Sequence, residues 1–357
     1  MSTKSIYTKY LPYFQDRYSF EICSKDRIID VMDFINQYWK KDHILAKSLD
    51  FMNWQYYNNE NDNYNFIIAV YKKTDEIHSI YGYTLSSHFD YTIKMPVKWG
   101  NIWKNREDIG EPGLGMMVCW KTFDLYNEIV HIGLGLSTNA INLSIKYGTV
   151  GIVDQYFIIH PTKNNFSIVD NVDDYNRNIL NIKYAHKTFK KCCLDEFINV
   201  INPIKQYIPS YKSVLYYINR FFLHPVYEYK LNIIIATDKS IIGAFFWRFC
   251  FYKDTKCIRI VDYFGKNRAL ESCHANFNDM LIEYDAEYID FLCVNMPVDE
   301  MVAAGFHNRK NYSRIIIPNY FEPFIRNNID IYYTIVNNNI LNRIYIFKAD
   351  SDQDRPN

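Results

Sequence analysis

Between Asp108 and Met117 the chain reads Asp-Ile-Gly-Glu-Pro-Gly-Leu-Gly-Met-Met, a glycine-rich turn between a strand-like run and an apolar, helix-like one. Gly113, Leu114, Gly115 and Met116 form its core. Residues without bulky side chains let backbone N–H groups at a helix N-terminus close on a pyrophosphate, and the helix dipole favours the anion. Two histidines, His88 and His131, stand on strand-like runs to either side of this turn. With a free pKa of about 6.5, either could accept the proton of an attacking amine. Further along, the run SVLYYINRFFLHPVYEY (213–229) carries Arg220, His224, Tyr227 and Tyr229. Such groups could grip a diphosphate, a pyrimidine edge or a sugar hydroxyl.

These residues need a frame, and the chain repeats one. Residues 65–83 read as strand, charged turn and strand, and 232–246 follow the same order. The tetrads Ser79-Ile80-Tyr81-Gly82 and Ser240-Ile241-Ile242-Gly243 place their glycines 161 positions apart. A later strand-to-short-helix unit ends at Gly148 in the first half and at Gly305 in the second, 157 positions apart. Two landmarks at nearly equal spacing point to two copies of one α/β unit. Helical spacing joins Ile28, Met32, Ile35 and Trp39 in the first copy, and Leu270, Phe277, Leu281 and Tyr284 in the second. The division expected is 1–160, a helical connector over 161–215 with a helix near Lys187 to Ile201, and 216–357.

Composition narrows the functions. Forty basic side chains balance forty acidic ones, so no field concentrates nucleic acid or an anionic membrane surface. No apolar run approaches the roughly 20 residues that span a bilayer. The eight cysteines form no CxxC pair and read as reduced, buried thiols. Nothing at the start reads as an export signal, so a cytoplasmic protein is expected.

Gly113-Leu114-Gly115 resembles the second half of the Gln/Arg-x-x-Gly-x-Gly/Ala turn of the GNAT acyltransferases. The segment from Gly135 to Gly148 resembles that superfamily's Asn-x-x-Ala-x-x-Leu-Tyr-x-x-x-Gly-Phe signature, with Ala140, Leu143 and Gly148 in register. The family's tyrosine, a frequent proton donor to the leaving thiolate, falls on Ser144, and its phenylalanine on Thr149. The resemblance implies an α/β (α+β) fold of two tandem GNAT-like modules, each a mixed, mostly antiparallel sheet flanked by helices. It implies acyl-CoA as co-substrate, contacted by Gly113, Leu114, Gly115, Met116 and Asn139, with no metal. The strand near Trp99 to Asn105 would supply a backbone N–H to the oxyanion.

The second half has only Phe264-Gly265-Lys266-Asn267-Arg268 at the corresponding turn, without GxG. A division therefore follows in which the first half holds the thioester and the second supplies the acceptor site. This division resembles sugar N-acyltransferases of surface-glycan and O-antigen (lipopolysaccharide) pathways, including those that use 3-hydroxybutanoyl-CoA. A dTDP- or UDP-linked amino sugar is then the acceptor, bound by Arg220, His224, Tyr227 and Tyr229, with Asp352 and Arg355 of the last segment folding over it. Homodimerisation is left open. Two alternatives stand beside this one: a tandem aminoacyl transferase of the peptidoglycan-bridge type, against which neutral charge counts, and an inactive module that binds a nucleotide sugar or a protein.

Overall fold

The structure is a computed structural model that describes residues 3–172, 187–336 and 344–356. In chain order its main elements are α1 (Thr3–Tyr10), β1 (Tyr18–Ser24), α2 (Ile28–Phe34), α3 (Leu49–Tyr56), β2 (Asn63–Tyr71), β3 (Glu76–Leu85), β4 (Val97–Asn105), α4 (Leu114–Leu125), β5 (Val130–Leu134), α5 (Thr138–Ser144) and β6 (Thr149–Ile152). There follow β7 (Asp154–Ile159), β8 (Thr188–Cys192), α6 (Leu194–Ile201), β9 (Lys230–Ile235), β10 (Ile241–Tyr252), β11 (Thr255–Gly265), α7 (His274–Tyr284), β12 (Tyr288–Val294), α8 (Val298–Ala303), β13 (His307–Asn308), β14 (Tyr332–Val336) and β15 (Ile346–Phe347). No helix among the described residues is long and apolar enough to cross a membrane.

Two mixed sheets result, each flanked by helices. The first runs β1-β2-β3-β4-β5-β14-β6, and the second β13-β7-β12-β11-β10-β9-β8 with β15 added to β12. Each sheet has one central parallel pair, β4–β5 in the first and β11–β12 in the second, flanked by antiparallel pairs such as β3–β4 and β10–β11. The near-continuous apolar run of β2, Phe66 to Val70, is buried on both faces of its sheet. One face packs on α2 and α3 through Ile28, Val31, Met32 and Phe51, the other on α4 through Met117, Val118 and Phe123. Full burial of such side chains contributes about 1.5–3 kcal/mol each. In the second sheet Phe277 and Leu281 of α7 cover Trp247, Ile258, Ile260 and Phe291.

The two compact units exchange chain. The described residues of 1–150 group with 333–336, and those of 151–332 with 344–356. Thus β14, late in the sequence, pairs with β5 in the first sheet, while β7, directly after β6, pairs with β12 in the second.

Three expectations are corrected. The duplication is present, but its register differs from the tetrad match. Extra residues in the third strand of each copy, His78 and Ile242, lie 164 positions apart. Gly243 therefore corresponds to Ser79, and Gly82 to Phe246. Next, the stretch expected as a helix from Lys187 begins as strand β8, because Thr188 to Cys192 pair with β9, and the helix starts only at Leu194. Finally, Cys193 is exposed; the other seven cysteines are buried and all eight are free.

Candidate functional site

In the first sheet β4 and β5 run parallel only over Val97–Gly100 and Val130–Gly133. Beyond that row β4 stays with β3, out to Asn105 opposite Ser79, while β5 stays with β14. Among the described residues no strand stands between the two beyond Gly100, so the sheet opens there as a V. At the mouth, the consecutive residues Gly82 and Tyr83 pair with Ile102 and Gly100. Asn101 is thus an extra, bulged residue on β4, a device that bends a strand and re-aims its backbone next to a site. The bulge falls inside the stretch in which the sequence places the oxyanion N–H.

At the same end of the sheet β4 hands over to α4. Gly113, with φ +84°, sits in the left-handed region at the helix N-cap. Gly115 lies against the end of β4, its carbonyl accepting from Trp103 Nε1 at 2.9 Å and its Cα facing the Asn105 side chain. Leu114 is buried and Met116 half-buried. In the first turn of α4 the Leu114 N–H donates to the Glu111 carbonyl at 3.4 Å, and the N–H groups of Gly115 and Met116 have no intrahelical acceptor. Around the loop, Arg17 pairs with Glu111, Lys104 with Glu107, and Arg106 with Asp108. With those side chains committed to one another, the turn's attraction for an anion comes from its backbone.

The two histidines have core environments. His88, in the short turn after β3, bonds Trp54 O through Nε2 at 2.8 Å, and burial lowers its pKa. His131 on β5 is 3% exposed, bonds Tyr126 O through Nε2 at 2.7 Å and packs on Phe123. Burial, with Lys98 adding to it, lowers its pKa to about 2. Both rings are therefore neutral at neutral pH, with the hydrogen on Nε2. A ring so averse to charge is a weak proton acceptor, so the basis for assigning His131 as a base is lost. Ser144 is half-buried at the end of α5, where its carbonyl accepts from Tyr147 and Gly148 N–H. Asn139 is exposed in the first turn of that helix, which Ser137 caps through Ala140 N–H at 3.3 Å.

Lys98 is a group that sequence reasoning missed. It pairs in register with His131, is completely buried, donates to Thr122 Oγ1, and lies within 5.8 Å of the Tyr81, Tyr83 and Phe123 ring centres. Burial lowers its pKa to about 7. Counted from the bulges, the row Lys98–His131 corresponds to Ile258–Ile289 in the second sheet. A polar row has replaced an apolar one at a cost in stability. Lys98→Ile is expected to stabilise the fold, by on the order of a few kcal/mol at pH 7. Because the folded amine titrates near 7 and the unfolded one at 10.5, the unfolded chain binds more protons between those values. Stability from this group rises with pH across that window, and the variant loses that rise. Denaturant titrations at pH 7 and 10 check both.

The second sheet repeats the V and then fills it. Phe246 and Trp247 pair with Asp262 and Ile260, leaving Val261 as the bulge, 160 positions after Asn101. The parallel pairing of β11 with β12 covers only Ile258–Ile260 and Ile289–Phe291. Beyond it stands β15, with Phe347 and Ile346 paired to Cys293 and Val294, and Ala349 N–H bonded to the Val261 carbonyl at 3.1 Å. The turn before α7 is filled as well. Arg268 and Leu270 N–H donate to the buried Glu300 carboxylate at 3.2 and 3.0 Å. These donors lie in the loop ahead of α7, whose first turn begins only at His274.

The residues expected to hold the acceptor cluster in the second unit and bind one another. Arg220 donates to Ala349 O at 2.9 Å. His224 accepts from Val226 and Tyr227 N–H and stacks on Tyr227, and burial with Arg220 lowers its pKa to about 3. Tyr227 donates to Glu322 at 2.7 Å and carries the Arg248 guanidinium 3.8 Å above its ring. Tyr229 donates to Asp354 at 2.8 Å, and Arg248 grips the same carboxylate through two 2.8 Å bonds. Asp352 is buried and paired with Arg355. Asp350 joins Asp262 around the buried Lys212 ammonium at 2.8 and 2.6 Å. The segment 349–356 is thus built into the unit rather than laid over its surface.

Among known proteins, no family model and no curated sequence matches the chain. Solved structures do. A GCN5-related N-acetyltransferase from Anabaena variabilis superposes with TM-score 0.56 at 9% identity, over 89% of this chain and 72% of that one. A conserved protein of unknown function from Enterococcus faecalis, described as a probable N-acyltransferase, superposes with TM-score 0.54 at 9% identity, over 89% and 71%. Identities this low establish architecture and leave chemistry to the site: the chain has the fold of the GCN5-related N-acetyltransferases, in two copies.

Proposed function

We propose that the protein transfers an acyl group from a coenzyme A thioester, held by the first module, to an amine. One observation carries this reading: the second copy fills its V with its own β15, whereas among the described residues the first copy commits no strand to that place. In the first copy, the α4 N-terminus would receive the pyrophosphate and the Asn101 bulge would aim backbone at the developing oxyanion. The amine must attack neutral, and its proton passes to water or to a group other than His131. The structures similar in fold, named as N-acetyltransferase and N-acyltransferase, support the reaction class.

For the acceptor, the resemblance to sugar N-acyltransferases favours a dTDP- or UDP-linked amino sugar in a cytoplasmic glycan pathway. Incubation with acetyl, propionyl and 3-hydroxybutanoyl thioesters and a panel of nucleotide amino sugars, with free thiol as readout, tests it. Acceptor-dependent thiol release is expected. No release with any pairing would count against the sugar reading, and release on simple amines alone would move the acceptor to another class.

A further inference from the structure

Strand alternation divides the second sheet into two faces. On β10, β11 and β12 the residues Trp247, Ile258, Ile260, Ile289 and Phe291 turn to the helical side. Arg248, Arg259 and Asp290, between them in sequence, turn to the other side and are buried there. Phe347 of β15 packs on the helical side, which sends Lys348 to the face of the arginines.

That face carries an excess of positive charge. Arg259 holds both oxygens of Asp290 through Nε and Nη2, at 2.8–3.3 Å. Arg248 holds both oxygens of Asp354, and Tyr229 takes a further bond to it. Both carboxylates are consumed, and Lys348 is left over. It is 3% exposed, and among the described residues its ammonium has no hydrogen-bond partner. It lies 5.1 Å from the Tyr320 ring centre. Burial, with the like charge of Arg259, pushes its pKa down to about 7 against the opposing pull of Asp354 and Asp290. Asp354 and Asp290 attract the ammonium but are hydrogen-bonded to arginines rather than to it, and methionine or leucine would fill the same volume without the burial penalty, so the cation can take a counter-charge of its own.

We infer that Lys348 and Arg259 form a binding site for a small oxyanion, the carboxylate or phosphate group of a ligand, on this face of the second module. Lys348 supplies an unspent ammonium, and Arg259 the guanidinium edge that Asp290 does not occupy. Tyr320 supplies a wall. The inference is independent of acyl transfer and does not require the first module to bind a thioester.

Thermal unfolding of the full chain, at fixed pH and ionic strength, tests it with sodium chloride as reference and with inorganic phosphate or acetate as probe. A ligand that binds only the folded state raises Tm saturably. The expected result is a saturable rise with one of the two probes, which also tells phosphate from carboxylate. In Lys348→Met the anion-free Tm should be higher than that of the unchanged protein and the anion-dependent rise should vanish, while Lys348→Arg should keep part of it. Should Lys348→Met not fold, Lys348→Gln serves the same comparison. No saturable response to either probe beyond that of chloride, or an equal response in the variants without the cation, overturns the site.

Discussion

Replacing Gly115 by Asp should weaken coenzyme A binding by about a hundredfold, since placing a carboxylate against a pyrophosphate costs several kcal/mol and each 1.4 kcal/mol is tenfold. The new side chain would enter the first turn of α4, where the dipole and the free N–H groups receive an anion. It needs room, because a Cβ at this position meets the Asn105 amide at 2.5 Å. The clean comparison is therefore Asn105→Ala alone against Asn105→Ala with Gly115→Asp. The first should bind the cofactor nearly as the unchanged protein does, and the second should carry the loss. Calorimetric titration of both, after thermal unfolding shows each folded, reads the difference. Near-equal affinities would remove the α4 terminus from the cofactor site.

Asp354→Ala should destabilise the second module by about 3–5 kcal/mol, the usual cost of breaking a buried ion pair and stranding its partner. Arg248 would lose both of its carboxylate bonds at 8% side-chain exposure, and Tyr229 its acceptor. Removing residues 350–357 should cost more, because Lys212 then also loses Asp350. For Asp354, burial works to raise the pKa, but Arg248 outweighs it and holds the carboxyl well below the ordinary range. Its contribution is present above the unfolded pKa of about 4 and is lost as pH falls through the folded value. Urea titrations at pH 7 and pH 3 of the unchanged protein and Asp354→Ala should converge toward low pH. A truncated chain with unchanged stability would show that the tail lies outside the packed structure.

The sequence alone exposes what depends on local pattern. The GxG turn after a strand, the copied strand pairs and the helical stripe from Ile28 to Trp39 all rest on neighbours within a few residues. What it hides depends on partners far away. The exchange of β7 and β14 leaves no local mark, since either strand would read the same in any sheet. The tetrad match slipped by three residues because Ser-Ile-x-Gly repeats by chance where the bulges, set by cross-strand pairing, do not. Lys98 looks like an outward lysine on an alternating strand until α4 closes over it. Asp350, Asp352 and Asp354 look like a solvated end, since a run of acids gives no sign of buried Lys212 and Arg248. The second copy is half legible: the missing GxG points away from a cofactor loop there, but gives no sign that β15 fills the V or that Glu300 binds the Arg268 and Leu270 N–H groups.

Titrating the unchanged protein with coenzyme A and with acetyl-CoA, and counting sites per chain, bears most directly on the proposal that one module of two holds the thioester. One site per chain is the predicted result, lost in the Asn105→Ala, Gly115→Asp variant and kept in Glu300→Gln. Two equivalent sites, or one that persists in the Gly115→Asp protein, would contradict it.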